Sequence, residues 1–147
     1  MAGSSASRVL LASVDSVWQF LAEPYHLSDW WPGLRGVEPD RRGFEVGARW
    51  AVQIAEPPLF LPRSGRDALG RTVPATLEIT TIEPKSCWAF RIVRSRRGRT
   101  TSTEVRVNLT PVGESETSVT VEQSGRKGDA AVAVERLHQL IQVAAAL

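Results

Sequence analysis

The chain has few of the residues that most often carry chemistry: one cysteine, one methionine and two histidines in 147 residues. Cys87 alone cannot close an internal disulfide, so no oxidising compartment is required and a cytoplasmic location is expected. The two histidines and the cysteine lie far apart, in no recognised metal-ligand spacing. The motifs GxGxxG, GxxxxGK(S/T) and GxSxG are all missing. A metal site, a nucleotide-binding enzyme and a serine hydrolase of the usual kinds are therefore not expected, and nothing calls for a cofactor. Long apolar runs are missing too. Val9 to Ala12 is too short for a signal-peptide core or a membrane span, so neither export nor an integral membrane segment is expected. Finally, an excess of one charge is lacking: 18 Lys and Arg face 16 Asp and Glu. The net charge of +2 gives no global field for nucleic acid. Arg94, Arg96, Arg97 and Arg99 cluster near a predicted hairpin tip but without interleaved aromatics, which reads as a solvated loop, and nucleic acid is not an expected partner.

What is present is the patterning of one folded domain over residues 1–147, with 42% apolar and 23% charged residues. Arg8 to Ala12 reads as a short strand. Ser13 then offers an N-cap hydroxyl and Asp15 a first-turn negative charge, so a helix is expected through Val14, Val17, Trp18 and Leu21 until Pro24 stops it. Tyr25 to Trp31 is long enough for a second short helix before Pro32 and Gly33. From Val46 the period becomes two, with Ala48, Trp50, Val52 and Ile54 on one face. The same alternation recurs at Leu77 to Thr81, Trp88 to Ile92, Thr103 to Leu109 and Thr117 to Val121. Glu78, Arg91, Glu104, Arg106 and Glu122 fall on the opposite, solvated face. Turn formers at Glu83 to Lys85, Arg96 to Gly98 and Pro111 to Gly113 predict an antiparallel meander. Asp129 to Leu147 has neither Gly nor Pro and predicts a long amphipathic helix with a wide apolar face. Only Ala55 to Pro74 resists assignment.

This element order, together with the tracts Val17-Trp18-Gln19-Phe20-Leu21-Ala22 and Asp29-Trp30-Trp31-Pro32-Gly33, resembles the START-like superfamily and most of all its bacterial polyketide cyclase/dehydrase-like branch. The resemblance implies an α+β helix-grip fold: a curved antiparallel sheet wrapped around the C-terminal helix, with two short helices after the first strand. It also implies a cavity between sheet and helix for a hydrophobic small molecule: a lipid, a polyketide-like compound or an aromatic one. Trp50, Trp88, Phe90, Val105 and Val119 would face that cavity, with Trp30 and Trp31 near its mouth.

Each candidate has a plainer reading. Trp18 lies mid-stripe on the first helix and is expected in the core, whereas core packing and ligand contact are evenly matched for Trp50 and Trp88. Trp30 and Trp31 are adjacent, so on a helical turn one packs inward and the other caps an opening. His26 and Asp29 are three apart, which permits an imidazole oriented by a carboxylate and hence a general base; the competing reading is a solvated helix. His138 next to Glu135 is expected to face solvent. Leu59, Phe60 and Leu61 need cover within a proline-rich loop, at the mouth of a pocket, at a subunit interface such as that of a homodimer, or simply by packing under the sheet edge, and Phe60 is counted among the ligand contacts. Arg63, Arg66 and Arg71 would form a basic rim there. Three functions stay open: a carrier of a hydrophobic small molecule, a cyclase/dehydrase-type enzyme acting through polar groups at the same cavity, and a protein-interaction module.

Overall fold

The computed structural model describes residues 3–55, 72–96, 98–124 and 129–146. Most of the unassigned connection, with Leu59, Phe60, Leu61, Arg63, Arg66 and Arg71, lies outside them, as does Arg97. The chain runs β1 (Gly3–Leu10), α1 (Val14–Ala22), a 3-10 turn (Pro24–His26), α2 (Leu27–Trp30), β2 (Leu34–Glu38), β3 (Arg49–Ala55), β4 (Thr72–Glu83), β5 (Cys87–Arg96), β6 (Arg99–Gly113), β7 (Glu116–Ser124) and α3 (Asp129–Ala146). The strands form one seven-stranded antiparallel sheet in the order β1-β7-β6-β5-β4-β3-β2. With α3 packed on β1 and β7 and touching α2, this is the expected α+β helix-grip architecture.

Local chemistry explains most boundaries. Ser13 accepts the N–H of Ser16 at 3.2 Å and caps α1, which buries Val17 and Leu21. Glu23 ends α1 and accepts the N–H of Tyr25, so Pro24 opens the 3-10 turn where its missing N–H costs nothing. On the outer face Glu78 joins its cross-strand neighbours Arg91, at 2.8 Å, and Arg49, at 3.2 Å. That is the mixed-sign pairing expected of a solvated face.

Four details differ from the sequence expectation. β2 is an additional strand; Gly36 and a register shift between Leu34 and Gly36 break the alternation that would have announced it. β1 begins at Gly3 rather than near Arg8, because pairing with β7 recruits the serines; a Cβ at Gly3 would meet the Gln123 carbonyl oxygen at 2.9 Å. The β6–β7 turn falls at residues 114–115, beyond Pro111, since a register shift between Pro111 and Gly113 accommodates the proline within the ladder. The apolar face of α3 is narrower than expected. It buries Ala130, Ala133, Val134, Leu137 and Ile141, while Val132 and Val143 remain exposed.

Polar ties seat α3. Arg8 of β1 forms an ion pair with Glu135, and Gln123 donates to Asp129 at 3.3 Å while accepting from Ser4 at 3.4 Å. Buried Leu137 alone contributes about 2 kcal/mol through its apolar area, more than an exposed ion pair such as Arg8 with Glu135. Thr117, fully buried, donates its hydroxyl to the Ala12 carbonyl at 2.9 Å and pins the corner between β1 and α1. Among the described residues no helix is long and apolar enough to cross a membrane.

Candidate functional site

The inner face of the sheet carries a run of touching aromatic rings. Period-two alternation points Trp88, Phe90 and Ile92 of β5 inward, and the ladder sets Trp88 beside Val107 and Phe90 beside Val105. Trp88 is the hub. Its ring centroid lies 4.8 Å from Phe90, 5.0 Å from Phe44, 6.1 Å from Trp30 and 6.2 Å from Trp50. Trp31 extends the set, edge-on to Phe90 at 6.2 Å and to Trp30 at 6.1 Å. These are the separations at which ring edges meet ring faces favourably.

Trp30 and Trp31 therefore both face inward, at 0% and 4% exposure, and neither caps an opening. The helical constraint does not apply to them as a pair. α2 ends at Trp30, and Trp31 is extended (φ −88°, ψ 121°), which turns its side chain back to the same interior. Val105 and Val119 are buried on the same sheet face. Val105 adjoins Phe90, whereas Val119 pairs with Leu109 and Arg8 farther along β7. Trp18 is only half-buried and meets the cluster through Phe44, at 5.7 Å.

Phe44 was not singled out from the sequence; its one signal is an aromatic between Gly43 and Gly47 in an otherwise polar loop. Asp40 shapes that loop. Its carboxylate accepts the N–H groups of Arg42 and Arg49 at 2.9 Å and of Gly43 at 3.3 Å. Gly43, at φ +62°, then presents its carbonyl to the Trp50 indole N–H at 2.7 Å. The Arg49 N–H, foremost, holds the Asp40 carboxyl below its ordinary value against a smaller opposing effect of desolvation, with help from Arg42 and Gly43. A lowered carboxyl value stabilises the fold above the unfolded-state value, and that contribution disappears as pH falls through the lower, folded value. Asp40→Asn should accordingly destabilise the protein at about pH 7, and its deficit against the parent should shrink towards about pH 3. Urea titrations of both proteins at the two pH values check this; a deficit independent of pH would remove Asp40 from the loop's charge balance.

Two members of the cluster differ from Trp50. The indole N–H groups of Trp30 and Trp88 are buried and have no hydrogen-bond partner among the described residues. An unpaired buried donor costs about 1–3 kcal/mol, and folded proteins leave few of them. As a core the cluster is thus well packed but incompletely bonded.

His26 lies elsewhere. Its ring stacks on Phe20, with centroids 4.1 Å apart, and Nδ1 sits 2.9 Å from the Phe20 carbonyl oxygen. A carbonyl only accepts, so Nδ1 carries the proton and Nε2 is the acceptor of the neutral ring. Asp29 is exposed, and among the described residues no hydrogen bond joins it to His26. Side chains on a helical turn lean towards its N-terminus, which carries the imidazole back onto α1 and leaves its orientation to a main-chain carbonyl. The ring lines a cavity of about 580 Å³ together with Phe20, Gln19, Ser16, Ser115 and Ile141, between α1, the β6–β7 turn and the end of α3. Among the described residues no group of His, Cys, Asp and Glu is arranged to hold a metal ion.

An antiparallel sheet gripping a terminal helix around an aromatic interior defines a helix-grip protein. The sequence matches the family described as polyketide cyclase / dehydrase and lipid transport over residues 1–146, and the chain belongs to that family. Solved structures agree on the fold. A protein from Arthrobacter aurescens is 19% identical with a TM-score of 0.70, covering 96% of this chain and 86% of its own. A conserved protein from Geobacillus kaustophilus is 20% identical with a TM-score of 0.69, covering 99% and 95%. Norcoclaurine synthase from Thalictrum flavumn, a point mutant in complex with a transition state analogue, is 14% identical with a TM-score of 0.67, covering 98% and 96%. No curated protein matches the sequence.

Proposed function

We propose that the protein binds a hydrophobic small molecule between the inner face of the sheet and α3, seated against the rings around Trp88. Trp30, Trp31, Trp50, Phe90, Val105 and Val119 form the seat. One observation carries this reading: among the described residues the aromatic cluster keeps two buried donors without partners, so a well-packed interior is left with hydrogen-bonding capacity that a ligand can use. The family description, which includes lipid transport, points the same way. Because Trp30, Trp50 and Trp88 are fully buried, a ligand enters only as the rings part, and binding should be slow and saturable. Tryptophan fluorescence titrated with neutral hydrophobic probes should show a one-to-one change, and mass spectrometry of extracts from native protein should find an apolar companion. A panel of probes without saturable binding would overturn the reading.

A second reading has its own observation. The His26 imidazole is held in one tautomer at the wall of a cavity, an arrangement suited to proton transfer. The fold also carries chemistry in the synthase from Thalictrum flavumn. On this reading the protein is a cyclase/dehydrase-type enzyme and His26 is its base.

A further inference from the structure

The donors left over in the aromatic cluster specify more than apolar contact. An indole N–H can only donate, and in this protein the three buried tryptophans that touch Trp88 or are Trp88 itself divide sharply. Trp50 is satisfied by the Gly43 carbonyl at 2.7 Å, whereas Trp30 and Trp88 find no partner among the described residues. Their rings meet edge to face with centroids 6.1 Å apart, so the two unpaired donors belong to neighbouring rings of one cluster. Phenylalanine at either position would supply an aromatic ring without an unpaired donor. We infer that Trp30 and Trp88 form a subsite for a ligand oxygen, and that the ligand is a neutral hydrophobic molecule bearing a carbonyl or quinone-type acceptor there.

The surroundings narrow the class further. Among the described residues the only buried polar side chains are Thr117 and Gln123, and no charged side chain is buried. A carboxylate or phosphate placed against the two indoles would thus lack a counter-charge, which disfavours an ionic headgroup in that region. A hydroxyl or amine placed there would bring a donor of its own to a site already supplied with donors. A ketone or quinone oxygen accepts from one or both indoles and carries no proton that needs a partner.

This inference rests on the proposed pocket, and matched probes separate the two. Fluorene and fluorenone share a tricyclic frame and differ by a carbonyl in place of a methylene; indane and 1-indanone are the smaller pair. The ketone of at least one pair should bind about fivefold or more tighter than its hydrocarbon, the gain of one added buried hydrogen bond. Trp30→Phe and Trp88→Phe both reshape the seat, so the readout is the ratio of ketone to hydrocarbon affinity, which each variant should bring down towards one whatever it does to the two affinities separately. In proton–nitrogen correlation spectra the indole N–H signals of Trp30 and Trp88 should move downfield on ketone addition more than on hydrocarbon addition, and that of Trp50, already bonded, should not. If both members of each pair bind equally and the phenylalanine variants do not discriminate, the pocket stands and the acceptor subsite falls. If none of the four probes binds, the pocket itself fails and the subsite with it.

Discussion

Trp88→Ala is expected to lower the unfolding free energy by about 3–5 kcal/mol, because it empties the centre of the ring cluster. Phe44, Phe90, Trp30 and Trp50 all lose a face or edge contact at once, and a position with no exposure has little freedom to collapse. For a domain of this size the melting midpoint should fall by about 6–20 °C. Trp88→Phe keeps an aromatic ring and removes an unpaired donor, so its loss should be well short of that. Urea and thermal unfolding of the three proteins measure the difference. Under conditions where the alanine variant remains folded, it should also bind hydrophobic probes more weakly. An alanine variant that is destabilised yet binds a probe panel as tightly as the parent would make Trp88 plain core and move the ligand seat elsewhere.

If the protein is an enzyme of the cyclase/dehydrase type, His26→Ala should lower turnover of an enolisable polyketone by about two to four orders of magnitude with the fold retained. The step is a proton transfer. Nε2 takes a proton from the carbon between two carbonyls, the resulting enolate attacks a second carbonyl of the same chain, and the new alkoxide recovers the proton. The Phe20 carbonyl holds Nδ1–H throughout and so keeps Nε2 available. Circular dichroism and melting should show only a modest stability loss, since the ring is half-buried against Phe20. Asp29→Asn distinguishes two ways of orienting the ring. A loss near that of His26→Ala would make the carboxylate the orienting group during turnover, whereas a small one leaves that task to Phe20. A His26→Ala protein that retains full turnover would end the general-base reading.

The architecture was legible because most strands and all the helices obey simple periods. Ser13 as N-cap, Pro24 as a stop and the alternation through Trp88 and Phe90 each place an element by local chemistry. What escaped depends on partners distant in sequence. β2 has five residues and a bulge, and its identity comes from pairing with β3. The serine-rich start of β1 resembles a polar lead-in until β7 lies beside it. Of the candidate site, the inward rings were legible and their bonding was not. Inward tryptophans follow from period two, but no pattern in sequence tells a bonded indole from an unbonded one. That distinction depends on where the Gly43 carbonyl sits, and Asp40 sets its position through contacts with both ends of a loop. His26 shows the same limit. Spacing suggested Asp29 as its partner, and the turn supplied a backbone oxygen instead.

The pairing of β1 with β7 also decides when the molecule can be finished. β2 to β7 follow one another through hairpins or a single connection, so their ladders can assemble as the chain emerges from a ribosome. β1 is made before β7, its strand partner, and contacts such as Ser4 with Gln123 span 119 residues. Until residues 116–124 exist, the first strand has an unpaired ladder and Leu10 has no Thr117 beside it. Closing so long a loop is an entropic step that local hairpins do not share. The edge that carries Arg8, and with it the seat of α3, is therefore expected to form last, and a nascent chain stalled before β7 should expose β1 to proteases while the central hairpins are already protected.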